Sequence, residues 1–161
     1  MLSMKKFMRE NPEEFIASIL LVITTILVLM NVFFRYCLNS GIYWSEEVAT
    51  SCFVWSVFIG AAGAYRTGAM LGIDLLVNRL PRAARTAVKI IVQFILLVIN
   101  SYIIYLSVLY INHTHGISTS VLGVSSAWIS ASIPVGFGLA AIYTVMHIVE
   151  MFRDIRNGKE V

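Results

Sequence analysis

The residues of this chain that could do chemistry stand at the edges of long apolar runs. Glu46 and Glu47 are adjacent carboxylates, and Arg35 precedes them across a short connection. Such charges can take part in an ion pathway or meet a partner protein on the outer side. A purely structural reading also fits: two carboxylates at the positive end of a helix, with Arg35 snorkelling to the interface. Arg66 and Asp74 bound the next apolar run in the same way, and an ion pair between them suits a clip better than catalysis. His113 and His115 belong to one end of the molecule and His147 to the other, so they cannot share one haem between helices. Cys37 and Cys52 form no CxxC or Cys/His cluster and read as free thiols packed as small hydrophobes. No Ser/His/Asp grouping, P-loop or dinucleotide fingerprint is present. No catalytic residue, metal site or cofactor site is expected.

The elements that position these residues are membrane spans. The chain has 161 residues, of which 58% are hydrophobic and only 13% charged. Its mean hydropathy is +0.81. Soluble domains carry about a quarter charged residues, and so short a chain cannot hide this much apolar surface from water. An all-α, polytopic membrane protein follows. Uncharged runs predict four spans at about 15–34, 48–65, 90–111 and 129–149 within a single membrane domain, residues 1–161. Asn11 and Pro12 open the first span, with the Asn11 side chain expected to cap the first free amides. Ile73, Leu76, Val77 and Leu80 recur at helical spacing opposite Asp74 and Asn78, which predicts a short interfacial helix at about 71–80. Pro134 and Gly136 sit early in the last span, where a kink is tolerable.

The net charge of +3 does not mark a nucleic-acid binder. Eleven of the twelve Lys and Arg residues cluster in the N-terminal segment, the middle loop and the tail. That is the positive-inside pattern, and it places both termini in the cytoplasm and Arg35 with the carboxylate pair outside. A carrier is expected to show ionisable or unwound polar groups at mid-membrane, and this chain has its Asp, Glu, Lys and Arg only at span ends. Small residues recur every fourth position, at Gly60, Ala64, Gly68 and Gly72. On a helix they form one row where backbones approach closely, either within the chain or against a second membrane protein.

Taken in order, several motifs resemble the small membrane subunit, DctQ-like, of tripartite ATP-independent periplasmic (TRAP) transporters. They are Arg35-Tyr36, Trp44-Ser45-Glu46-Glu47, Trp55 followed by Gly60-Ala61-Ala62, Tyr65-Arg66, Gly68-Ala69, Ile73-Asp74-Leu75-Leu76 and Ile133-Pro134-Val135-Gly136. The resemblance covers essentially the whole chain. It departs at Met70, where such proteins often have histidine, and at Gly72, which is often polar or basic in them. The resemblance implies a non-catalytic scaffold subunit in a bacterial inner membrane. A large TRAP membrane subunit would carry substrate and sodium, fed by a periplasmic substrate-binding protein. Family substrates are dicarboxylates, 2-oxo acids and sialic acids.

On this reading Gly60, Ala64, Gly68, Gly72, Arg66 and Asp74 are docking candidates for the large subunit. Arg35, Trp44, Glu46 and Glu47 are outward, partner-facing candidates. Membrane lipid is expected as a partner, nucleic acid is not. The competing readings are a self-contained small proton-coupled exporter, which needs a carboxylate within a span, and a haem-bearing membrane anchor subunit.

Overall fold

A computed structural model describes residues 11–67, 82–114 and 116–156. The expected interfacial helix at 71–80, with Gly68, Met70, Gly72 and Asp74, lies outside the described residues, as does His115. Five helices follow in order: α1 (Pro12–Cys37), α2 (Tyr43–Arg66), α3 (Arg82–Thr114), α4 (Ala127–Ser130) and α5 (Ser132–Arg156). Four stretches, Pro12–Cys37, Tyr43–Arg66, Ala84–Thr114 and Ala127–Arg153, are long and apolar enough to cross a membrane. The first three helices run past the uncharged spans at both ends, whereas the expected start of the fourth span at 129 falls in the short helix α4, and α5 begins only after a break at Ala131. α2 begins at Tyr43, five residues ahead of Val48, because charged residues end a lipid-compatible run without ending a helix.

Local chemistry explains most boundaries. Pro12 starts α1, where its missing N–H costs nothing, and Glu13 and Glu14 face the positive helix end. The Asn11 side chain, however, makes no capping bond. Its Oδ1 instead accepts from Arg66 of α2 at 2.6 Å, a charge-assisted bond that outcompetes the local one. α1 stops at Leu38, and Asn39 takes a positive φ of 48°, a conformation Asn tolerates. Asn31 then reaches across the turn, accepting the Ile42 N–H at 3.1 Å just ahead of α2.

The spans form a row. α1 packs on α2, α2 on α5, and α5 on α3. Among the described residues the backbones of α1 and α3, α1 and α5, and α2 and α3 do not come together. α5, last in sequence, therefore sits between α2 and α3. α1 contributes no buried residue at all.

What is buried is small or polar: Ser45, Ala49, Ser56, Ala62, Asn100, Ser107, Thr114, Ser132 and Thr144. Large apolar side chains point outward instead, including Leu29, Phe33, Phe94 and Val98. This suits a lipid solvent, where exposed Leu or Phe carries no penalty and close helix approach comes from small residues. Each buried serine bonds back to a carbonyl three or four residues earlier, as with Ser56 to the Phe53 carbonyl at 2.7 Å and Ser107 to the Ile103 carbonyl at 2.7 Å.

Candidate partner-binding surfaces

One end of the row carries both described chain ends, and a polar cluster there fastens the helices together. Arg66 at the end of α2 donates to Asn11 and lies 3.4 Å from Glu13 Oε2 at the start of α1. Glu13 is nearly buried, with 12% of its side chain exposed, so an attracting cation stabilises it strongly. Tyr143 of α5 donates to the other Glu13 oxygen, and the Arg66 guanidinium stands 5.9 Å from the Tyr143 ring centre.

A second relay runs beside it. Asn100 of α3 donates to Thr144 at 3.4 Å, Thr144 donates to Tyr65 Oη at 3.0 Å, and Tyr65 donates to Gln93 of α3 at 2.7 Å. His147 stacks on Tyr65 with centroids 5.8 Å apart. His113 lies in the last turn of α3, at the opposite end. All four spans are thus tied at this end by side chains, including pairs whose backbones never meet. Arg66 was expected to clip toward Asp74; the described part of its environment binds α1, 55 residues back in sequence.

The row of small residues divides. A Cβ on Gly60 would stand 3.3 Å from Ala17 Cβ, so Gly60 is where α1 closes on α2. Gly63 meets Glu13 and Glu14 in the same seam. Ala64 is half-buried and follows the outward stripe of α2 formed by Thr50, Phe53, Val57 and Ala61. Sequence spacing did not single out Gly136, which makes the closest approach among the described glycines: a Cβ there would lie 2.7 Å from Phe58 Cβ and 2.9 Å from the Phe58 carbonyl oxygen.

At the opposite end, Glu47 has a specific task. Its two carboxylate oxygens accept the backbone N–H groups of Val121 at 2.8 Å and Leu122 at 2.9 Å. These belong to a small turn closed by a bridge between Ser118 and Ser125 and by Thr119 N–H to the Val124 carbonyl at 2.8 Å. Gly123, with φ of +66°, makes the reversal that other residues resist. A carboxylate on α2 therefore holds the connection between α3 and α4, with Val121, Leu122 and Val124 exposed at its tip. Behind it lies a cavity of about 260 Å³ reaching Cys52 and Trp128, and Trp128 packs on Trp55 with centroids 5.6 Å apart. Both cysteines are free, Cys37 exposed and Cys52 half-buried.

Arg35 and Glu46 line a different, polar cavity of about 320 Å³, together with Asn31, Asn39, Gly41, Ile42 and Tyr43. Trp44 is exposed beside it. The four outward candidates thus share one end, with Glu47 engaged by the chain itself and the others open. Among the described residues, no three His, Cys, Asp or Glu side chains gather where a metal could bind.

The family described as tripartite ATP-independent periplasmic transporters, DctQ component, matches residues 24–154. The chain belongs to this DctQ family. It is a TRAP small permease subunit and a multi-pass membrane protein, consistent with the four long apolar helices.

A small permease protein of Haemophilus influenzae is 35% identical to this DctQ chain over 85 residues, 53% of either protein. The chain therefore aligns with about half the length of that relative. The sialic acid TRAP transporter small permease protein SiaQ of Vibrio cholerae is 28% identical over 135 residues, 84% of this chain and 78% of SiaQ. The sialic acid TRAP transporter permease protein SiaT of Haemophilus influenzae is 27% identical over 144 residues, which are 89% of this chain but 22% of SiaT. DctQ-like sequence thus also occurs as a minor part of a much longer permease chain.

Proposed function

We propose that this subunit is a non-catalytic scaffold for a large TRAP permease subunit in a bacterial inner membrane, with both termini in the cytoplasm. The observation that carries this reading is the single row of helices. A carrier encloses its substrate between walls of helices, whereas among the described residues these spans approach one another in linear order, α1–α2–α5–α3. The SiaT relative, in which such a sequence accompanies a far longer permease chain, supports a large partner.

The second span and the segment after it, including Ala64, Gly68, Gly72 and Asp74, would dock that partner. Gly60 and Arg66 would serve the same surface indirectly, by fixing α2 against α1. The end of the subunit that carries Arg35, Trp44, Glu46 and the loop held by Glu47 would face the periplasmic substrate-binding protein. The cargo would be an organic acid such as a sialic acid, 2-oxo acid or dicarboxylate, moved with sodium by the large subunit.

Uptake of a labelled organic acid into proteoliposomes tests this, with a sodium gradient and binding protein present. Uptake is expected only when both membrane subunits are reconstituted. Uptake by this chain alone would overturn the scaffold reading.

A further inference from the structure

Arg35 and Glu46 line one cavity, yet they form no ion pair with each other or with any described residue. Opposite charges left apart in a shared polar cavity suit a ligand that carries both charges itself. Asn31 strengthens the anion side. Its Oδ1 is occupied by the Ile42 N–H, which leaves its two amide hydrogens as donors. The cavity thus offers a guanidinium and an amide to an anion, and a carboxylate to a cation, in a volume of about 320 Å³. Arginine is well matched to phosphate because its planar fork donates two parallel bonds. A carboxylate accepts from a primary ammonium, which carries three N–H donors.

The surroundings say what kind of molecule brings these groups. Tyr36, Tyr43 and Trp44 flank the cavity and are exposed by 77%, 76% and 47%, as aromatic side chains are at the membrane–water boundary. Below it, on the same helix faces, come exposed apolar residues. Val28 lies two turns from Arg35 on α1, and Phe53 lies two turns from Glu46 on α2. A ligand in this cavity therefore has a polar head at the boundary and apolar body along the seam of two helices.

We infer that the cavity between the end of α1 and the start of α2 binds the headgroup of an aminophospholipid, its phosphate on Arg35 and Asn31 and its primary ammonium on Glu46. The lipid tails run down past Val28 and Phe53. The outward residues then divide: Arg35 and Glu46 hold lipid, while Trp44 and the loop clasped by Glu47 remain for protein contact.

The test is lipid retention by the purified chain, read by native mass spectrometry after exchange into mixed micelles. The micelles contain dioleoyl phosphatidylethanolamine, phosphatidylcholine or phosphatidylglycerol. The parent should retain phosphatidylethanolamine about tenfold better than phosphatidylcholine, the scale of one charge-assisted bond. E46Q should erase that preference and leave phosphatidylglycerol retention unchanged, since that lipid brings no ammonium. R35Q should lower retention of phosphatidylethanolamine and phosphatidylglycerol alike, and R153Q, at the other end of the row, should change neither.

Should R35Q fail to fold, E46Q alone decides, because it replaces an exposed residue by its near-isostere. An unchanged preference in E46Q overturns the inference. So does soluble O-phosphoethanolamine that competes as well as the lipid, which would assign the cavity to a free aminophosphate. Weaker capture of the purified binding protein by both variants, with lipid retention intact, would assign the two residues to protein docking and overturn it as well.

Discussion

Gly136 and Gly138 are two residues apart on one helix and make opposite predictions. A Cβ at Gly136 would press on the Phe58 backbone, whereas nothing stands within 4 Å of the corresponding point at Gly138. Gly136→Ala should destabilise by about 1–3 kcal/mol through overpacking. Gly138→Ala should stabilise by about 0.5–1 kcal/mol, since only the helix preference changes. Thermal unfolding in detergent should rank the three proteins with Gly138→Ala highest and Gly136→Ala lowest. Glu47 carries a different kind of prediction, because its bonds hold a turn and not a helix. Glu47→Ala should speed amide exchange at Val121 and Leu122 while leaving exchange in α2 unchanged. Equal protection in both proteins would mean that the turn stands without its carboxylate.

At the scale of elements, the cluster of Glu13, Arg66 and Tyr143 joins α1, α2 and α5 at one end. Arg66→Ala leaves the nearly buried Glu13 carboxylate without its cation and should cost about 1–3 kcal/mol. Adding Glu13→Gln should recover part of that loss, and a thermal-unfolding double-mutant cycle measures how much. The same cluster shows how far sequence reading reaches. Uncharged runs revealed the four long apolar helices found among the described residues, because lipid imposes length and polarity on a helix directly. The partner of Arg66 was not legible. A charge at a span end pairs with whichever helix the packing brings near, and here that helix begins 55 residues earlier. Asn11 misled for a related reason: a helix-start residue prefers a cationic donor once tertiary structure supplies one. Glu46 and Glu47 looked alike in sequence, yet one faces a cavity and the other grips a turn 74 residues away. Spacing marked Gly60 as a close-approach residue, and only the fold shows that Ala17 is what approaches.

At the scale of the whole molecule, orientation is the property that decides which end meets which partner. Cys37 is exposed at the end that carries Arg35, and Cys52 is half-buried. In intact cells a membrane-impermeant maleimide should label Cys37, and the label should vanish in Cys37→Ser. A cysteine introduced at Arg153, in a Cys-free background, should react only after permeabilisation. The reverse pattern would invert the proposed topology and with it the assignment of both surfaces. A Leu at Ala64 should weaken copurification with the large subunit while leaving thermal unfolding of the isolated chain unchanged. Leu at Gly60 should lower both, since it forces α1 away from α2.

The order of helices across the row also constrains how the chain is made. α1 and α2 are neighbours in sequence and in space, so this hairpin can close as soon as it leaves the ribosome. α3 has no such backbone neighbour: among the described residues its backbone approaches α4 and α5, and it meets α2 through the Tyr65–Gln93 bond. During synthesis α3 therefore lacks its main packing partner until the final span is made and can settle between it and the hairpin. A nascent chain cut short before Ser132 would present a finished pair and a third helix joined to it by the Tyr65–Gln93 bond, with Asn100 deprived of its Thr144 partner. Completion of the last helix is what gives that buried amide its partner.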